Sequence, residues 1–344
     1  MFKTREEYRE AWDNAFKVDP PMPLNVDVEL ASLCNARCPH CFYGDTEWNK
    51  AIDEKAWDGK PKRRFMPKEM AFKIIDEAAA IGVPALKFNW RGESTLHPDF
   101  SEIIKHARCL RRNCKMGVHQ TSSTCDADNP DGFPCEHTFH DILVNTNGNC
   151  PEKSIDGLMA ATKVMISLDS CVPETYAKMR PGLRLETAMN TAHELIKRGH
   201  PDLWIRRVVT EDNKSEPFKE QVDKPLGGKF YKVSEHFCFE RGDKKEATAP
   251  VARRYCGYPS QRLIVSSDGT CYPCCVDTKG EMDMGRYPEQ SLLEIWNGGP
   301  FKKLRDELRR NEFWSSACRD CESWLAYNDK RRDSVQDKEI GGVK

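Results

Sequence analysis

The strongest constraint on how this sequence can fold is a regular alternation of short apolar runs with amphipathic stretches. Residues 26–30 (Val-Asp-Val-Glu-Leu) read as a first strand. Residues 66–82 then read as a helix, with Pro67 suited to its first turn, Met70, Ile74, Ala78 and Ile81 at helical spacing, and Gly82 to end it. Residues 84–90 read as a second strand, and a second helix places Phe100, Ile103, Ile104, Ala107 and Leu110 on one face. Further strands are expected at 142–145, 163–168, 203–209 and 228–233, with a helix over 187–197 ahead of the fifth. Strands that alternate with helices in this way build parallel βαβ units. Six strands within residues 25–235 are too few for a closed eightfold barrel. The expected fold is therefore α/β: a partial, TIM-like (β/α)6 barrel, with its chemistry where strands end and helices begin.

The cysteines show which strand end matters. The chain has 16 of them in 344 residues, with 53 basic residues against 54 acidic ones. That balance offers no nucleic-acid stripe and no acidic tail. The N-terminus has no apolar stretch behind a basic start, and the most apolar run, Ala78 to Leu86, is too short to cross a bilayer. The expected setting is a reducing cytoplasm, where disulfides are a poor use for so many thiols. Metal ligation, catalysis and simple burial remain. Cys34, Cys38 and Cys41 fall within eight residues, directly after the first strand. One loop can then hold three corners of a cubane iron–sulfur cluster and leave the fourth iron open. A zinc site or buried structural cysteines are the alternatives.

The Cx3Cx2C loop after a first strand resembles the radical S-adenosylmethionine (radical SAM) enzymes, and the resemblance continues in order along residues 25–235. Trp90-Arg91-Gly92-Glu93 ends the second strand as the family's "GE" segment does; Thr146-Asn147-Gly148 follows the third, and Ile166-Ser167-Leu168-Asp169 ends the fourth. Glu174 to Arg180 then follows as in many relatives. His40 stands where the family usually has an aromatic ring, and its flat imidazole is expected against adenine. The resemblance implies a [4Fe–4S] cluster on Cys34, Cys38 and Cys41 whose open iron is chelated by S-adenosylmethionine. Gly92 would let backbone approach that ligand, and Glu93 would accept hydrogen bonds from its ammonium. Asn147, Ser167 and Asp169 would bind ribose or carboxylate, and Arg180 would pair with the carboxylate. The implied activity is reductive cleavage to a 5′-deoxyadenosyl radical, which abstracts a hydrogen atom from substrate. A flavodoxin or ferredoxin is the expected redox partner.

A second cysteine group follows. Asp268-Gly269 is a hairpin signal between Leu263-Ile-Val and Thr270-Cys-Tyr, flanked by Cys256 and by Cys271, Cys274 and Cys275, with Cys318-Arg-Asp-Cys321 beyond. In isolation a zinc ribbon is the first reading. The pattern strongly resembles the SPASM/twitch auxiliary module of radical SAM enzymes. That resemblance implies one closed auxiliary [4Fe–4S] cluster on Cys256, Cys274, Cys318 and Cys321, used for electron transfer. Cys271 or Cys275 in place of Cys274, and a two-cluster arrangement drawing on Cys238, stay open.

The expected organisation is an N-terminal helical extension (1–24), the barrel (25–235), a linker (236–255), a small α+β cysteine-rich domain (256–326) and a charged tail (327–344). Trp12 and Phe16 suggest a docking face on the extension. An insertion at 113–140 holds Cys114, His119, Cys125, Cys135, His137 and His140, which would serve as zinc ligands or as a lid. Cys238 is a candidate thiol hydrogen donor in an epimerase-like reaction, against the plainer reading of a buried cysteine. The substrate is expected to be a small polyol, sugar or antibiotic precursor, oxidised or rearranged. The alternatives are a ribosomal peptide receiving a thioether, crosslink, oxidation or epimerisation, and a non-enzymatic zinc or iron–sulfur interaction protein. The roughly 25 residues ahead of the barrel are too few for a leader-peptide recognition domain, which favours the small molecule.

Overall fold

The computed structural model describes residues 2–15, 17–44, 50, 56, 58–108, 139–228, 231–237, 256–310, 312, 316–319 and 321. The linker residues 238–255 with Cys238, Phe16, the tail, and Cys114, His119, Cys125, Cys135 and His137 of the insertion lie outside the described residues.

Six parallel strands come first: β1 (Asn25–Val28), β2 (Ala85–Lys87), β3 (Asp141–Thr146), β4 (Lys163–Ser167), β5 (Leu203–Val209) and β6 (Lys232–Phe237). Each pairs with the next in sequence order. The helices are α1 (Arg5–Asn14), α2 (Lys68–Ala80), α3 (Phe100–Arg108), α4 (Ile155–Ala160), α5 (Pro173–Met179), α6 (Leu185–Lys197) and α7 (Phe218–Leu226). Val26, Val28, Leu86, Phe88, Val144, Val164, Ile166 and Ile205 are fully buried in one core with Ile74 of α2, Ile103 of α3 and Leu195 of α6. Side chains alternate across a strand. The residues between them, Asp27, Lys87, Asn89, Asn145, Met165, Ser167 and Arg206, therefore line the inner face away from the helices. The sheet is open, as a partial barrel requires.

The sixth strand starts at Lys232, four residues later than the apolar run at 228–233 predicts. Gly227 and Gly228 both adopt left-handed conformations (φ 78° and 66°), which end α7 and delay the strand. Helix α7 was hidden in the sequence by Pro225, which the structure tolerates in the last turn.

Helix α1 closes the base of the sheet. Arg5 and Arg9 pair with buried Asp141 at the start of β3, at 2.5 and 2.9 Å. Tyr8 and Ala15 pack with Leu24 and Ala85, joined by Trp12.

The C-terminal module continues the same sheet. After α8 (Tyr258–Gln261), strand β7 (Arg262–Val265) pairs parallel to β1 on the side opposite β2. Strand β8 (Thr270–Tyr272) returns antiparallel, and β9 (Gly285–Arg286) completes a nine-stranded sheet of order β6-β5-β4-β3-β2-β1-β7-β8-β9. The hairpin turns at Asp268-Gly269 as its dipeptide predicts, with Gly269 at φ 87°. Helices α9 (Leu292–Trp296), α10 (Gly299–Arg309) and α11 (Ser316–Arg319) follow. Among the described residues no helix is long and apolar enough to cross a membrane.

Candidate active site

Strand β1 hands the chain to the cysteine loop, and neighbouring strand exits pin that loop in place. The Glu93 amide donates to the Leu33 carbonyl at 2.7 Å, and the Arg37 amide to Pro181 at 3.0 Å. The Asn35 side chain donates to the Asn149 carbonyl at 3.0 Å and accepts from the Asn147 amide group at 2.7 Å. A turn closed by the Cys41 amide and the Cys38 carbonyl brings the last two cysteines together. Cys38 is buried, while Cys34 and Cys41 are half-buried and pack with Phe42. Burial pushes the Cys34 thiol up to about 12, with the Glu93 charge adding to the rise. Burial pushes Cys38 up to about 11, against the pull of Arg180.

Glu93 lies beside these thiols and is almost fully buried. Its carboxylate accepts from the Asn147 amide at 2.8 Å and from the Thr95 hydroxyl at 2.6 Å. Burial raises its pKa, and bonds from Thr95, Asn147 and Thr146 pull it back. It has no ion pair with any described residue. Gly92 is at φ 68°, where a Cβ would stand 2.2 Å from the Ala31 carbonyl and 2.6 Å from that of Leu33. The close approach it permits in this structure is to the backbone leading into Cys34. Asn147 acts through the same loop, since its side chain is engaged by Asn35 and Asn149.

Asp169, at the exit of β4, is fully buried with φ 65°. It accepts from the Val208 amide at 2.8 Å, and its second oxygen lies 2.7 Å from Arg180 and 3.3 Å from His40. Burial works to raise its pKa, but Arg180 and His40 outweigh it and hold the carboxyl below its usual range. Asp169 thereby ties Arg180 to the cysteine loop through His40, which belongs to that loop. Arg180 keeps a buried Nε without an acceptor. Ser167 stands half-buried at the end of β4.

The second thiol set surrounds a cavity. Cys256, Cys274, Cys318 and Cys321 line it together with Met282, Leu304, Leu308 and Asp277. Asp277 shapes the loop, accepting from the Glu281 and Met282 amides at 2.9 Å each. Cys271 is fully buried in the sheet core, and burial drives its thiol upward. Cys275 turns the other way and packs on Trp90, Ile264 and Tyr272. Its hydrogen bond with Cys274, then Arg262 and Lys87, draws its pKa down.

Family models match two stretches: the radical SAM superfamily over residues 28–223, and the SPASM iron–sulfur cluster-binding domain over 256–322. The chain belongs to the radical SAM superfamily. No curated protein sequence matches at a significant level. Among solved structures the radical SAM fold is shared with BtrN in complex with AdoMet and 2-DOIA, at 15% identity and TM-score 0.54 over 89% of this chain and 94% of that one. It is shared with Streptococcus suis SuiB bound to S-adenosylmethionine, at 14% identity and TM-score 0.59 over 92% and 75%. It is shared also with anSMEcpe with bound AdoMet, at 17% identity and TM-score 0.56 over 92% of each chain.

The residues present fit the groups this family implies. S-adenosylmethionine brings an ammonium and a carboxylate. Beside the three thiols stand a buried carboxylate with no cationic partner among the described residues, Glu93, and the unfilled Nε of Arg180. At the second site four thiols line one cavity, a donor set that fits an iron–sulfur cluster closed by four cysteines. Of the insertion's candidates only His140 is described, and its ring meets the Phe2 carbonyl at 3.0 Å.

Sequence reasoning missed three residues that build the site. Asn35 ties the cysteine loop to the exit of β3. Thr95 holds Glu93. Arg91 forms a buried ion pair with Glu29 at 2.7 Å. The signal for that pair was present as two opposite charges at adjacent strand exits, in Glu29-Leu30 and Trp90-Arg91.

Proposed function

We propose that this radical SAM enzyme abstracts a hydrogen atom from a small polyol, sugar or antibiotic precursor, which is then oxidised or rearranged. Cys34, Cys38 and Cys41 hold the [4Fe–4S] cluster with the open iron. Cys256, Cys274, Cys318 and Cys321 hold an auxiliary [4Fe–4S] cluster that passes electrons. When bound, the first cluster and S-adenosylmethionine supply the one-electron cleavage and the radical that takes the hydrogen.

The observation that supports the reading is that three thiols follow β1 while Cys274, which follows β8 two strands along the same sheet, lines one cavity with Cys256, Cys318 and Cys321. Glu93 accepts from the ligand's ammonium, which supplies the counter-charge its burial demands. Arg180 meets the carboxylate through its open Nε, held in place by Asp169. Ser167 reaches the ribose and the His40 ring lies against adenine. The amides of Asn89 and Asn145 and the hydroxyl of Ser167 give the inner face the hydrogen-bonding groups a hydroxylated substrate needs. A flavodoxin or ferredoxin delivers the reducing electron.

The test is anaerobic reconstitution, which yields about eight irons per chain for two four-iron clusters. With dithionite and S-adenosylmethionine the protein releases 5′-deoxyadenosine, and alanine at Cys34, Cys38 and Cys41 abolishes the release. Stoichiometric zinc without iron would overturn the enzyme reading. Release stimulated by a ribosomal peptide and by no small molecule would overturn the substrate class.

A further inference from the structure

Among the described residues, the inner face of the sheet holds one cation, Lys87, that none of its carboxylates pairs with. Each carboxylate there is already matched: Asp27 by Arg262 at 3.1 Å, Glu29 by Arg91 at 2.7 Å, and Asp169 by Arg180 at 2.7 Å. Lys87, half-buried on the same face, has no hydrogen bond or ion pair to any described residue. Arg206 is a second cation there, its Nη1 resting on the Met165 sulfur at 3.3 Å. Two acceptors are also unfilled, since the side-chain oxygens of Asn89 and Asn145 are buried without a partner.

Strand register places these groups in order. Lys87 is level with Asp27 and Leu143. Asn145 is level with Met165, and Ser167 with Arg206. Asn89 follows Lys87 by two residues, as Asn145 follows Leu143, so the two amides are neighbours. Two residues along a strand span ~6.6 Å and neighbouring strands lie ~4.8 Å apart, so Lys87, Asn89 and Asn145 form one compact group. Arg206 stands two strands further on, and its guanidinium reaches back to Met165, level with Asn145. One monosaccharide-sized molecule fits among these groups. Its Arg206 end lies towards Asp169 and the cysteine loop. Its Lys87 end lies beside Cys275, whose thiol feels the Lys87 charge, next to the second thiol cavity.

We propose that the inner face binds a hydroxylated small molecule bearing one anionic group, a sugar acid or a sugar phosphate. Lys87 pairs with the anion. Asn89 and Asn145 accept hydrogen bonds from hydroxyl groups, and Arg206 donates to an oxygen nearer the cysteine loop. The lysine selects for charge because an unpaired ammonium in a half-buried site gains more from an anion than from a neutral hydroxyl. The proposal rests on the small-molecule reading given above and narrows it to anions.

The test uses three probes with one carbon skeleton: D-glucose, D-glucuronate and D-glucose 6-phosphate. Each is titrated calorimetrically into the anaerobically reconstituted full chain with S-adenosylmethionine present. At least one anion is expected to bind ten-fold or more tightly than glucose, and the better of the two tells a carboxylate site from a phosphate site. Lys87→Met removes that preference and Lys87→Arg restores most of it. If Lys87→Met fails to take up iron, Lys87→Gln is read in its place. Glucose binding as tightly as both anions, or a preference that survives the loss of Lys87, overturns the anion assignment and leaves the small-molecule reading standing. Binding by none of the three also overturns it. If a ribosomal peptide then stimulates 5′-deoxyadenosine release, the small-molecule reading falls with it.

Discussion

Replacing Gly92 with alanine separates two demands that the site makes on one residue. The first is conformational: φ is 68°, a left-handed backbone that costs a residue with a Cβ about 1–2 kcal/mol. The second is spatial. The new Cβ would stand 2.2 Å from the Ala31 carbonyl oxygen, 2.6 Å from that of Leu33 and 2.9 Å from the Leu33 nitrogen. Relieving the worst contact to 3.0 Å needs a displacement of about 0.8 Å. All three atoms are backbone, so no side chain can swing away. The segment that must move is the one that delivers Cys34, and it is also held by the 2.7 Å bond between Glu93 and Leu33. Gly199 provides the control, since it has φ 73° and nothing within 4 Å of its would-be Cβ. Gly199→Ala therefore pays the conformational cost alone.

Both variants are reconstituted anaerobically and their iron and 5′-deoxyadenosine release measured. Gly199→Ala is expected to keep about eight irons, and Gly92→Ala to keep about four, those of the auxiliary cluster. Its 5′-deoxyadenosine release should vanish. Full iron and release in Gly92→Ala would refute the reasoning. Equal loss in both variants would refute it too, because strain rather than contact would then be the cause.

Glu29→Gln leaves Arg91 buried without its counter-charge, a loss of about 3–5 kcal/mol. At about 2 °C per kcal/mol the melting temperature of the iron-loaded protein falls by about 6–10 °C, and a fall below about 2 °C would show that the pair fastens nothing. Because burial raises the Cys34 and Cys38 thiols to about 12 and about 11, iron must displace protons that leave more readily at higher pH. Cluster assembly, followed by its brown absorbance, is therefore faster at pH 9 than at pH 7, and a rate independent of pH would contradict those shifts. Cys274→Ala is expected to lose the auxiliary cluster's share of iron while Cys275→Ala retains it, since only Cys274 lines the cavity; the reverse pattern would reassign the ligand.

The barrel strands were legible because one face of each packs on helices, which places apolar residues at alternate positions: Val26 and Val28 in β1, Val164 and Ile166 in β4, Leu203 and Ile205 in β5. The cysteine groups stood out because three fall within eight residues after β1, and Cys271, Cys274 and Cys275 follow the hairpin dipeptide. What escaped was of two kinds. Helix α7 was obscured by Pro225, and the start of β6 by two glycines whose left-handed conformation a hydrophobic pattern does not encode. The polar links that aim the site join residues far apart in the chain, 62 positions between Glu29 and Arg91 and 112 between Asn35 and Asn147. Local pattern carries no information about such pairs. Gly92 shows the limit most clearly. The sequence marks a close approach, but only the packing of 31–33 against it identifies a partner.

Strand β1 is the element that makes two thiol sets into one machine. Its C-terminal end delivers Cys34, and its free edge takes β7, whose hairpin delivers Cys274. Just past the end of β1, Glu29 accepts from Arg91 at 2.7 Å and from the Ser267 amide at 3.0 Å, so one buried carboxylate joins the exits of β1, β2 and β7. Arg91 in turn stacks on Trp90 at 4.0 Å, and the Trp90 indole donates to the Cys275 carbonyl at 3.1 Å while its ring packs on Tyr272. The two Glu29 bonds in this chain are buried, where losing one partner leaves the other unsatisfied at a cost of about 1–3 kcal/mol. The segment that presents Glu93 and the segment that presents Cys274 are thus fastened to each other directly. This framework fixes the separation of the two thiol sets, as the proposed passage of electrons between them requires.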